Sequence, residues 1–70
     1  MKAALQYKTQ ADAEAAAEVL RRNNIRYEIA AIPADGSVKY PDFIDAAQGG
    51  VVLSIDDPEW ERGMQLIWEA

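Results

Sequence analysis

The sequence contains neither cysteine nor histidine among its 70 residues. Disulfide staples, thiolate nucleophiles and Cys/His zinc sites are therefore excluded, and no imidazole is present to serve as a general base. Glycine and proline are scarce, at four and three. No apolar run approaches the roughly 20 residues that span a bilayer, and the N-terminus lacks a secretory hydrophobic segment. The expectation is a cytoplasmic protein that does not enter a membrane. Positive charge is also in short supply, seven Lys and Arg against twelve Asp and Glu, for a net charge of −5.

That deficit is uneven. Residues 1–32 carry five basic and four acidic side chains, +1, whereas residues 33–70 carry two against eight, −6. Such a surface repels the phosphates of nucleic acid and of anionic membranes, so neither is an expected partner. What the chain does have is apolar content, half of its residues. That suffices for one small domain, residues 1–70, which buries only about 60% of its unfolded surface.

The pattern along the chain predicts five elements. Ala3, Leu5 and Tyr7 alternate with Lys2, Gln6 and Lys8, a strand over Lys2–Lys8 with one core face. Thr9 caps a helix from Gln10 to about Asn23, whose inner stripe is Ala13, Ala16, Ala17 and Leu20 with Val19 at its margin. Asn23-Asn24 supplies the left-handed stop, and Ile25 folds back on the last turn. Ile25–Ile32 reads as a second strand and Pro33-Ala34-Asp35-Gly36 as a turn. Within residues 37–50 the expectations are a short strand over Ser37–Tyr40 and a helical turn opened by Pro41. Val51–Ile55 is a near-continuous apolar strand suited to a central position. Asp56 or Asp57 caps a last helix, with Pro58 in its first turn and Trp60, Met64, Ile67 and Trp68 along one stripe.

Joining the first two strands through a helix calls for a right-handed crossover, with the apolar strand between them and antiparallel to both. The expected architecture is α+β, a ferredoxin-like β-α-β-β-α arrangement. Its three-stranded sheet has the order 1-3-2, both helices on one face, and lacks the last strand of that fold. The other face would be polar, carrying Lys2, Gln6, Arg26, Glu28 and Ser54. Strand 1 is then an open edge with a lysine at each end, an expected route to a homodimer.

Catalytic chemistry has few candidates. Gly49-Gly50 leads into a strand, not a helix N-terminus, so a turn is expected in place of a phosphate cradle. Asp56, Asp57, Glu59 and Glu61 lack the spacing of a calcium loop, and helix capping accounts for the first three. Thr9, Ser37 and Ser54 have no histidine to activate them, and nothing supports a pairing of Ser37 with Lys39. No catalytic residue, metal or cofactor is expected. The tryptophan stripe reads first as core and second as a platform for a partner. Loop 33–50 is long for so small a domain, and its Tyr40, Pro41 and Phe43 either form a contact surface or close the core. Phe43 with Ile44 is the expected plug, leaving Tyr40 exposed. The expected binding residues are Tyr40, Pro41, Phe43, Asp56 and Asp57.

The stretch LQYKTQADAEAAAEVLRRNNIRYEI resembles the opening of small bacterial signal-transducing proteins of unknown function with a ferredoxin-like, ACT-like fold. VVLSIDDPEWERGMQLI resembles their closing strand and helix. The likeness covers about two-thirds of the chain, leaves loop 33–50 unmatched, brings no catalytic residues and implies a regulatory or binding role. Three functions follow as expectations. The first is a non-catalytic regulatory or protein-interaction module that binds a protein partner or itself. The second is an acidic phage-type inhibitor occupying the basic groove of a nucleic-acid enzyme, which needs the acids of the second half on one continuous face. The third is a sensor of a small ligand held between subunits, lined by loop 33–50 and the start of the last helix.

Overall fold

The computed structural model describes residues 3–69. It contains strand β1 (Ala3–Tyr7), helix α1 (Gln10–Arg22), strand β2 (Tyr27–Ala31), strand β3 (Val51–Ile55) and helix α2 (Trp60–Glu69), with a 3₁₀ turn at Ala46–Gln48. The sheet has the order β1-β3-β2, and β3 is antiparallel to both neighbours. This is the α+β, ferredoxin-like arrangement expected from the pattern. Lys2, placed at the start of the first strand, lies outside the described residues.

The helix signals act as their chemistry dictates. The Thr9 hydroxyl accepts from the Asp12 amide at 3.1 Å, satisfying one of the free donors of the first turn. At the other end Asn24 adopts φ 57°. The Ile25 amide then donates to the Leu20 carbonyl and the Asn24 amide to Arg21, which is a Schellman closure. Ile25 is thus consumed by the cap, and β2 begins at Tyr27 instead of Ile25. The side chain of Ile25 still enters the main core with Ala3, Ala17, Leu20, Leu53 and Ile55.

Helix α2 approaches this core through a glycine. A Cβ on Gly63 would lie 2.9 Å from Leu20 Cδ2 and 3.5 Å from Ile25, so a larger side chain would push α2 off α1. The glycine, buried in mid-helix, sets how closely the helices pack.

The face opposite the helices corrects an expectation. It is not an open polar surface, because loop 33–50 folds across part of it. Ala4, Ile32, Ile44 and Val52 form a second buried cluster there, with Tyr40 packed against them. Gln6 fastens the loop down: its Nε2 donates to the carbonyls of Asp45 (2.7 Å) and Gly49 (2.9 Å), and its Oε1 accepts from the Asp45 amide (2.8 Å). Gly50, at φ 88°, lies so close to the Tyr7 carbonyl that no Cβ fits, and its own carbonyl accepts from Ile32. Within the loop, Ser37–Tyr40 is not a strand. The helical turn falls at Ala46–Gln48, where the Asp45 side chain accepts from the Ala47 amide. Pro41 instead opens a tight turn closed by the Ile44 amide.

Candidate interaction surface

Helix α2 packs against α1 and β1. Since β1 is an edge strand, the side of α2 turned away from α1 has no strand of this sheet beyond it. Residues four apart form rows along a helix. Trp60, Met64 and Trp68 make one such row, and Glu61, Gln65 and Glu69 make the next. Trp60 and Met64 are half-buried, while Trp68 is 73% exposed, the highest value among the large hydrophobic side chains of the described residues. A shallow groove of about 280 Å³ runs between the rows, lined by Trp60, Glu61, Met64, Gln65 and Trp68. Trp60, Met64 and Ile67 of the tryptophan stripe therefore pack against the main core, and Trp68 alone is surface. Eight residues turn a helix about 80° past full revolutions, which carries Trp68 away from the packed side set by Gly63.

The start of α2 is fixed by Asp57, the one buried acid. Its Oδ1 accepts from the Glu59 amide at 2.9 Å, and its Oδ2 accepts from the Arg26 amide at 3.1 Å and Arg26 Nε at 3.4 Å. Those amide donors, Glu59 first and then Arg26, with the Arg26 guanidinium beside them, hold the Asp57 carboxyl below the ordinary carboxylate range. Asp57 is occupied as a brace between β2 and the turn that leads into α2, which starts at Trp60 with the expected first-turn Pro58 outside it, so little of Asp57 is free for a ligand. Asp56 is exposed and borders a 210 Å³ depression with Arg26, Tyr27, Glu28 and Ser54.

The remaining expected binding residues lie elsewhere. Tyr40 and Pro41 are half-buried, and Phe43 is 66% exposed. The expected assignment holds for Ile44 and is inverted for the two aromatics, since Tyr40 packs on the second cluster while Phe43 points to solvent. The physical reason is the turn at Pro41–Ile44, which presents only one of two adjacent side chains to the sheet. The loop residues cover the sheet face opposite the helices, whereas Asp57 braces the start of α2. The acids divide the same way. Asp35, Asp42 and Asp45 lie on the loop, while Asp56, Asp57, Glu59 and Glu61 lie around the start of α2. Asp35 accepts from the Ser37 amide at 2.9 Å, and the Ser37 hydrogen bonds lower its pKa.

Among the described residues no three carboxylates gather as a metal site, and no helix is long and apolar enough to cross a membrane. Sequence reasoning missed the Gln6 clamp and the buried Gly63. For Gly63 a signal existed, because a glycine inside a helix costs about 1 kcal/mol and usually has a packing reason. For Gln6 none did. Comparison with protein-family models, with curated proteins and with solved structures finds no match for the chain.

Proposed function

We propose that the protein is a non-catalytic interaction module whose working surface is the outer side of α2 together with the open edge of β1. The observation that carries this reading is the Trp60-Met64-Trp68 row, an apolar ridge ending in a tryptophan that is 73% exposed. An exposed tryptophan at the end of a half-buried apolar row is an anchor for a protein contact, and tryptophan is enriched among the residues that dominate such contacts. The lack of cysteine and histidine, and the use of Asp57 as a brace, support a role without catalysis. The resemblance to signal-transducing proteins points the same way, to a regulatory or binding role.

Two occupants suit this surface, a protein partner or a second copy paired on β1. The phosphate-mimicking inhibitor is less well supported, because its acids stand in two groups, one on the loop and one around the start of α2. A small-ligand sensor finds less support too, since the Asp57 carboxylate is already taken by the Glu59 and Arg26 amides.

The test compares the wild type with Trp68→Ala and Phe43→Ala, two exposed positions on different elements. The tagged proteins are used to capture partners from the native host, and light scattering gives their mass. Loss of a specific partner, or of a dimer, in Trp68→Ala alone supports the proposal. Identical capture and identical mass in all three would overturn it.

A further inference from the structure

We infer that the groove on α2 takes a basic amphipathic segment of another protein, with apolar side chains against Trp60, Met64 and Trp68 and Lys or Arg beside the acidic row. The inference rests on reading that face as the contact surface, and it adds the chemistry of the occupant. Two parallel rows with a groove between them are what a helix ridge packs into. One row is apolar, and the other reads Glu61, Gln65, Glu69.

Among the described residues no basic side chain pairs with the acids of the second row. Glu61 forms no ion pair among the described residues, and Glu69 accepts only from Gln65, at 3.1 Å. The one base of α2, Arg62, is turned the other way, with Nη2 donating to Asn23 Oδ1 at 3.1 Å and Nη1 lying 3.7 Å from Glu59. No basic residue occupies the last turn of α2, so the partial negative charge of the helix C-terminus adds to that of the acids. Beside it stands Trp68, whose exposed ring is a face for a guanidinium or ammonium group. The positive end of the helix dipole offsets part of the Glu61 charge, but Glu61 lining the groove, Glu69 at the end of its row and the C-terminal end of the dipole together favour a cationic partner. A second copy would bring Glu61 and Glu69 against acids of the same sign.

The groove carries its own reporters, because Trp60 and Trp68 are the only two tryptophans in the chain. The experiment titrates the whole protein with an amphipathic Leu/Lys model peptide and with its Leu/Glu counterpart at about 0.1 M salt. The expected result is a saturable blue shift with the Leu/Lys peptide and binding weaker by about tenfold or more with the Leu/Glu peptide. Trp68→Ala, followed by anisotropy of a labelled peptide, should lose about tenfold or more in affinity, and Glu61→Lys should weaken binding several-fold. Unchanged binding by Trp68→Ala overturns the inference, since bare charge attraction survives that substitution. Equal affinity for the two peptides also overturns it, while leaving the surface itself in place. Failure of both peptides to bind, with partner capture indifferent to Trp68→Ala, removes the surface as well.

Discussion

At the scale of single residues, the loop that crosses the sheet gives neighbouring side chains opposite duties. Ile44 is 6% exposed in the second cluster, and Phe43 beside it is 66% exposed. Truncating Ile44 to alanine removes buried carbons and leaves a cavity against Ala4 and Val52, a loss of about 2–5 kcal/mol. A 70-residue domain has about 4–10 kcal/mol in total, so Ile44→Ala should be largely unfolded at moderate urea. Phe43→Ala removes surface carbons and should stay within about 0.5 kcal/mol of the wild type. Urea midpoints of the two variants, read by far-UV circular dichroism, check the pair. Equal destabilisation would mean that the phenyl ring is packed after all. The sequence offers Phe43-Ile44 as one apolar unit, and the larger residue is the natural choice for a plug. Only the turn closed by the Ile44 amide on Pro41 decides which of the two faces inward, and adjacent residues give no periodicity from which to read that.

Between elements, the connections are held by side chains whose importance depends on distant backbone. Gln6 makes three hydrogen bonds to a loop about forty positions away. Gln6→Ala should release residues 41–50, seen as faster amide exchange there than in β3 and as new proteolytic cleavage within the loop, with a global cost of about 1–3 kcal/mol. Unchanged exchange at Ala47 and Gln48 would show that the second cluster holds the loop unaided. Asp57 joins β2 to α2 in the same manner, and its contribution depends on pH. Its native pKa lies below the ordinary value, so folding favours the carboxylate. The resulting stability is present above about pH 4 and is lost as pH falls through the lowered native value. Asp57→Asn should therefore melt below the wild type near neutrality, with the gap closing as the solution is acidified. A gap independent of pH would assign the effect to shape alone. These braces mark the limit of what the sequence reveals about the fold. Strand order, the Thr9 cap and the Asn23-Asn24 stop are legible because each rests on local chemistry or on a period of two or 3.6. The Gln6 clamp and the covered sheet face are not, because they depend on where an irregular loop lands.

For the molecule as a whole, the candidate surface was half legible. Spacing placed Trp60, Met64 and Trp68 on one stripe, but only the packing of Gly63 on Leu20 turns the far end of that stripe outward. The two occupants proposed for it respond to salt in opposite directions, and this separates them. A second copy paired on β1 brings together two chains of net charge −5 and sets α2 beside its own equivalent. Glu61 and Glu69 then repel, and salt screens that repulsion. The screening length is about 10 Å at 0.1 M and about 3 Å at 1 M. Self-association should accordingly strengthen between those conditions, aided by apolar contact at Trp68. Binding of a Leu/Lys peptide depends on attraction to the same acids, so it should weaken over the same range. Because both need the outer side of α2, saturating peptide at low salt should also dissociate any dimer. Sedimentation equilibrium at both salt concentrations, with and without peptide, measures all of these effects. A ternary species of two chains carrying two peptides would place self-association elsewhere, on the unguarded edge of β2, where Tyr27–Ala31 carries no lysine and Glu28 is the only charge.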